Sequence, residues 1–312
     1  MQRFQTILAL GIIYIVWGST FIAIRIGVAE MPWALMAGTR FVAAGVIMLS
    51  ALALLRRPLR PSRRDLAVLA TAGVLLLGSG NGFVFLGETT VPAGLSALII
   101  ATIPLWVAAL EVSLPGGERL TAGGWAGLAL GLVGLGVLLG PKLLREQGEA
   151  VNLVGVGVLL FSALSWSLGT LLLRRRPVKL NPLASTGYQT LAGGLFNLVL
   201  ALLLGQRWPA QVSAGVYGAL AYLVVFGSLI ALTAFTWLTR HLAPAKLVTY
   251  AYVNPVVAVL LGVLMLGETL DVWMVAGMVI ILAALVIVSR ARVAAPAPQA
   301  GPAVAAPAQA GD

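Results

Sequence analysis

The chain has 312 residues, of which 60% are hydrophobic and only 10% charged, where a soluble domain carries roughly a quarter charged residues. That balance excludes a soluble globular fold, because no such fold hides so much apolar surface. The net charge of +10 could suggest nucleic acid or anionic lipid, but the Lys and Arg residues stand in short clusters between long apolar runs and read as loop charges that set topology. With no cysteine and one histidine, His241, the chain offers no disulfide, no thiolate chemistry and no clustered-histidine metal site. Neither metal nor cofactor is expected.

A membrane helix needs about twenty mostly apolar residues to cross a hydrocarbon layer of roughly 30 Å. By that ruler about ten spans are predicted, near 4–28, 33–55, 66–87, 93–114, 121–140, 152–173, 181–204, 213–238, 244–266 and 270–289. The first run is too long for the apolar region of a signal peptide and holds Trp17, Ser19 and Thr20, so it reads as a retained span. Breaks fall at turn chemistry such as Met31-Pro32, Arg57-Pro58, Pro115-Gly116-Gly117, Gly140-Pro141, Arg176-Pro177 and Ala243-Pro244. The expected organisation is a first repeat over 1–141, an outer linker over 142–151, a second repeat over 152–290 and an Ala/Pro-rich tail over 291–312. That tail cannot bury a core or hold a helix and reads as disordered.

Lys and Arg are retained on the cytoplasmic side of a membrane. With the N-terminus inside, the inner segments hold Arg3, Arg56, Arg57, Arg60, Arg63, Arg64, Arg119, Arg174, Arg175, Arg176, Lys179, Arg240, Lys246, Arg290 and Arg292, fifteen of the twenty basic residues. Arg25, Arg40, Lys142, Arg145 and Arg207 lie on or toward the outer face, with Glu30, Glu88, Glu146, Glu149, Glu268 and Asp271. Both termini are therefore expected in the cytoplasm, and the chain in the cell (inner) membrane.

The two halves of the chain echo each other. Trp17 and Arg25 match Trp166 and Arg174 at an offset of 149, as does Gly78-Ser79 with Gly227-Ser228. Pro104 matches Pro255 at 151, and Gly117-Glu118-x-Leu120 matches Gly267-Glu268-x-Leu270 at 150, as does Ala126-Gly127 with Ala276-Gly277. Five spans per half, an odd number, force the second half into the membrane upside down. The fold class expected is an all-α integral membrane protein, with ten transmembrane helices in two inverted five-helix repeats around a central cavity.

In these motifs the sequence resembles the drug/metabolite transporter superfamily, specifically its ten-helix EamA-domain exporters. The resemblance rests on Trp17-Gly18-Ser19-Thr20-Phe21, Arg40-Phe41, Pro92-Ala93-Gly94, Tyr252-Val253-Asn254-Pro255-Val256 and the two Gly-Glu turns at Gly117 and Gly267. It covers essentially residues 4–290. What it implies is a basket of two five-helix repeats around a substrate cavity, and efflux of amino acids or related metabolites.

Trp33, Trp125, Trp208, Trp237 and Trp273 fall near predicted span ends, where an indole sits at the lipid headgroups. Trp17, Trp106 and Trp166 fall near span centres, where the indole N–H needs a partner or a cavity. Cavity lining and plain packing are both open to each. Thr20, Asn81, Thr102, Gln189, Thr233, Tyr250, Tyr252 and Asn254 are the other polar groups at mid-depth. The threonines can equally back-bond to their own helix, whereas the asparagines are more expensive to bury. The candidate substrate-binding set is Trp17, Thr20, Asn81, Thr102, Trp106, Trp166, Gln189, Tyr252 and Asn254.

Pro104 and Pro255 each remove an intrahelical hydrogen bond near mid-membrane, as hinges for alternating access or as static kinks. Arg40 is a candidate charge site. It either draws a substrate carboxylate or pairs with Glu88 or a backbone carbonyl. Gly123, Gly127 and Gly131 permit close helix packing. No Asp or Glu sits at the centre of any span, and Glu111 lies only about a turn from the inner end of span 4. Energy coupling through a carboxylate therefore has no evident carrier, and transport down the substrate's own gradient is expected. The alternative function is a membrane transferase acting on lipid-linked substrates, but the loops lack the acidic clusters such an enzyme needs. A channel or sensor has neither a filter signature nor a signalling domain in its support. The expected partners are a small-molecule substrate and the bilayer, not nucleic acid, with a monomer as the expected unit and a dimer as the open alternative.

Overall fold

A computed structural model describes residues 2–115, 120–144, 152–242 and 249–290. Among these residues there are ten helical segments and no strand. They are α1 (Gln2–Val28), α2 (Trp33–Leu54), α3 (Arg63–Gly87), α4 (Ala93–Ser113), α5 (Ala122–Leu144), α6 (Leu153–Arg175), α7 (Pro182–Leu203), α8 (Ala214–Leu238), α9 (Tyr250–Leu266) and α10 (Val272–Arg290). Eight have the length and apolar character to cross a membrane, and apolar stretches of α9 and α10 supply two shorter ones. Bulky apolar side chains such as Leu54, Val154, Leu202, Leu264 and Val272 point outward, where hydrocarbon rather than water is the natural solvent.

The helix contacts carry the twofold character of the sequence. α1 packs on α8 and α9, and its counterpart α6 packs on α3 and α4. α2 pairs with its own counterpart α7, and α5 with its counterpart α10. In the α2–α7 seam, Gly45 and Gly194 stand 149 residues apart. A Cβ on Gly45 would come within 2.8 Å of the Leu191 nitrogen, and one on Gly194 within 2.5 Å of the Val42 nitrogen, so the two backbones touch. Small residues are what let membrane helices approach this closely.

α3 and α8 each contain a wide, π-type turn, at Val74–Asn81 and Leu223–Ile230. The two stretches are again 149 residues apart and each carries the Gly-Ser pair. α4 is broken at Ala101-Thr102, where the chain leaves the helix before resuming at Ile103. The boundaries differ from expectation at α5, which runs on past Gly140-Pro141 to Leu144. Leu138 and Leu139, buried in the seam with α10, hold the helix through the proline that the sequence suggested would end it. Of the three α5 glycines at four-residue spacing, Gly127 lies against Val288 of α10 and Gly131 against Leu105 of α4, while Gly123 meets only its neighbour Thr121.

Candidate functional site

Seven helices, α1, α2, α3, α4, α6, α8 and α9, line a cavity of about 120 Å³. α5, α7 and α10 contribute nothing to its wall. The walls are mainly apolar and aromatic, with Phe21, Phe41, Trp17, Trp166 and Tyr250 among the lining residues. Such a surface suits an apolar body with a few polar anchors.

α1 presents Trp17 and Thr20 on one face, a turn apart. The Trp17 indole donates to the Gly227 carbonyl at 3.3 Å and packs against Phe235 and Tyr250, with ring centroids 5.1 and 5.2 Å away. Its acceptor belongs to the wide turn of α8, where regular helical pairing is interrupted. Trp166, its counterpart, also lines the cavity; its carbonyl accepts from the Thr170 hydroxyl at 2.9 Å, but its indole N–H has no acceptor among the described residues. The Thr20 hydroxyl donates back to the Trp17 carbonyl at 2.6 Å, the local bond that threonine makes in a helix.

Arg40 is the charge at the centre of the site. It is 3% exposed, its Nε donates to the Ser228 hydroxyl at 3.1 Å and its Nη1 to the Asn81 side-chain oxygen at 3.4 Å. Its guanidinium carbon lies 4.7 Å from the Phe41 ring centre and 5.8 Å from that of Phe85. Gly227 makes room for it, since a Cβ there would come within 3.0 Å of Nη2. The pairing with Glu88 that the sequence left open is not what the structure shows. Arg25, instead, donates to the Glu88 backbone carbonyl. No Asp or Glu lines the cavity.

Asn254 lines the cavity from α9, and in the orientation that suits its neighbours its amide nitrogen donates to the carbonyls of Tyr250 (3.1 Å) and Tyr14 (3.2 Å). Pro104 and Pro255 line it too. Pro255 stands inside continuous α9, whereas Pro104 falls in the first turn after the break in α4. Neither has an N–H to offer the residue four places earlier, Ile100 or Ala251, and both of those residues line the cavity.

Three residues from the candidate set lie off the cavity. Thr102 is buried and turns its hydroxyl to the Ile99 carbonyl at 2.6 Å. Trp106 lies away from the wall, because the break at Ala101-Thr102 brings Ile103 and Pro104 inward instead. Gln189 sits on α7, where its backbone packs against Gly73 of α3. The Tyr252 side chain lies outside the described residues. Ser228, absent from that set, supplies a hydrogen bond to the buried cation. Its signal was the repeated Gly-Ser pair, but the counterpart Ser79 bonds the Ser165 hydroxyl at 2.6 Å within packing, so the motif alone does not distinguish the roles.

Polar links tie the halves together at both ends of the bundle. At the arginine-rich end, Glu111 of α4 meets Arg175 at 3.2 Å and Arg174 at 3.6 Å, both on α6. At the opposite end, Gly267 adopts a left-handed conformation (φ 67°) that ends α9 and turns the chain so that Glu268 reaches the start of α4. Its carboxylate accepts from the N–H groups of Ala93 (2.6 Å) and Gly94 (2.9 Å). The Ser213 N–H donates to Glu30 at 2.7 Å and holds that carboxyl below its ordinary range.

A mostly apolar cavity between two oppositely inserted sets of helices is the construction of a membrane transporter. The chain belongs to the EamA-like transporter family, whose profile matches residues 5–140 and 153–290. It is a transporter of the drug/metabolite superfamily and not an enzyme. It is 37% identical, over 91% of its length and 92% of the relative's, to the "Uncharacterized inner membrane transporter YedA" of Escherichia coli (strain K12). It is 27% identical, over 92% of its length and 95% of the relative's, to the "Probable amino-acid metabolite efflux pump" of Salmonella typhimurium (strain LT2). A solved structure entitled "Crystal structure of protein" shares the fold, with a TM-score of 0.61 at 21% identity, covering 91% of this chain and 96% of the other.

Proposed function

We propose that the protein exports small organic metabolites, amino acids or related compounds, across the cell (inner) membrane by alternating access, with both termini in the cytoplasm. The observation that carries this reading is the cavity itself, walled by aromatic side chains, by the polar cluster of Arg40, Asn81 and Ser228, and by Asn254. Pro104 and Pro255 sit where two helices contribute backbone to that wall, which suits them to act as hinges when the halves rock. The relative named as an efflux pump supports amino-acid metabolites as the cargo. With no carboxylate in the wall, the substrate moves down its own gradient as in a uniporter, and a monomer suffices because the cavity is complete within one chain.

The test is flux of a panel of amino acids and metabolites through purified protein in liposomes, against protein-free membranes. Saturable flux of at least one compound, weakened by Asn254→Ala, is the expected result. Absence of flux for the whole panel would overturn the reading, and strict proton antiport would overturn the uniport mechanism.

A further inference from the structure

We infer that the cavity recognises its substrate by a carboxylate group docked on Arg40, that a substrate ammonium group is dispensable, and that a cation lacking a carboxylate is rejected. This rests on the transport reading above and names the chemical class that the same cavity takes.

The argument begins with the cost of the charge. A guanidinium 3% exposed within a membrane bundle is tolerated only if it is paired, snorkels to an interface or faces a wet cavity. Arg40 cannot snorkel, since its head is fixed by Ser228 and Asn81 against the rings of Phe41 and Phe85. Nor is it paired, for it forms no ion pair among the described residues. Its two hydrogen bonds use Nε and Nη1, which leaves Nη2 with no recorded acceptor among those residues. Both acceptors are neutral, so the site holds a full positive charge with donor capacity to spare.

A carboxylate completes this arrangement, because a guanidinium offers it charge-assisted and often paired hydrogen bonds. The rest of the wall offers an apolar body its packing surface in Trp17, Trp166 and Tyr250. An ammonium group finds no carboxylate there, only neutral oxygens and ring faces, and it must share the cavity with the Arg40 charge. A zwitterion enters through its carboxylate. A simple amine brings a second positive charge and nothing for Arg40 to bind.

Gly227 strengthens the assignment. A Cβ there would meet both Arg40 Nη2 and the Thr20 methyl at 3.0 Å, so the bare backbone leaves the guanidinium its close seat. The wide turn of α8 thus supplies both the bare backbone against which the cation lies and, through Ser228, one of its two anchors.

The test uses three probes with one ring and one chain length: 3-phenylpropionate, phenylalanine and phenethylamine. Binding to the purified full-length protein is measured by calorimetry, and flux is measured separately in liposomes. The expected order places 3-phenylpropionate and phenylalanine together, with phenethylamine at least about tenfold weaker. Arg40→Gln removes that discrimination and Arg40→Lys weakens carboxylate binding while keeping the order, because lysine lacks the planar fork. Equal binding of amine and carboxylate by the wild-type protein overturns the inference, as does failure of all three to bind at millimolar concentration. An unchanged order in a folded Arg40→Gln variant overturns it too. The wild-type order decides the matter even if that variant does not fold. Binding in the expected order without flux supports the Arg40 anchor and overturns the transport reading. Flux that ignores the carboxylate does the reverse.

Discussion

Trp17 and Trp166 occupy equivalent positions in the two halves but are held differently. Trp17 is tied to the Gly227 carbonyl and packed edgewise and tilted among Phe235 and Tyr250, whereas the Trp166 indole N–H has no acceptor among the described residues. Trp17→Ala should therefore lower thermal stability in detergent by about 3 kcal/mol, in the range for large-to-small changes at packed aromatic sites, and weaken substrate binding. Trp166→Ala should weaken binding with a smaller loss of stability, and an equal loss in both variants would contradict this. The same asymmetry limits what the repeat can say of individual residues. The offset that pairs Trp17 with Trp166 pairs Arg40 with Gln189, yet Arg40 is the charge of the cavity and Gln189 packs its backbone on α3. Depth in a span was legible in the sequence, and it brought Asn81, Asn254 and Arg40 forward as polar groups, all three of which line the cavity. The direction a side chain faces was not, because it depends on helix contacts far apart along the chain.

Among the elements, α4 is where the sequence reading departs furthest from the structure. Its apolar run is unbroken in composition, so hydropathy predicts one helix, and Pro104 suggests a kink at its own position. The chain instead opens at Ala101-Thr102, before the proline, which then occupies a first-turn position where its missing N–H is no loss. The start of α4 is held from another element, by Glu268. Glu268→Ala should leave the helix-start N–H groups of buried Ala93 and Gly94 without their acceptor and cost about 1–2 kcal/mol, with Glu268→Gln retaining part of it, as thermal unfolding would reveal. Nearby, Glu88 at the end of α3 is fully buried, and neither carboxylate oxygen has a hydrogen-bond partner. Burial pushes its carboxyl well above the ordinary 4.5, Arg25 opposes that shift and Glu268 adds to it. The native state thus keeps a proton that the unfolded chain has released. Stability from this group is complete below pH 4.5 and declines as pH rises toward the raised native value. Glu88→Gln should flatten that part of the melting temperature's dependence on pH, and an unchanged slope would remove Glu88 as its source.

For the molecule as a whole, the number of spans and the inverted arrangement were readable because they depend on composition over twenty residues at a time, which local detail does not disturb. Which way up the bundle sits is a separate matter, and the absence of cysteine makes it open to direct measurement. Single cysteines placed at Arg60 and Pro177 should react with a membrane-impermeant thiol reagent from the same side, and one at Ser213 from the other. Leu59, Leu180 and Leu183 all pack against the buried cluster of Met48, Leu52 and Ala184, and the Tyr188 hydroxyl donates to the Leu59 carbonyl, which brings the first two connections together at one end of the bundle. Opposite labelling at Arg60 and Pro177 would be incompatible with five helices per half.

The wide turns of α3 and α8 loosen the regular pairing of the helix and leave carbonyls turned toward a neighbour. In α8 the Gly227 carbonyl receives the Trp17 indole of α1. In α3 the carbonyls of Leu75 and Gly80 receive the hydroxyls of Ser165 and Ser162 on α6. The same local irregularity thus fastens each half's π-bearing helix to the first helix of the other half, a seam of main-chain acceptors that replacing the indole or the serines should loosen.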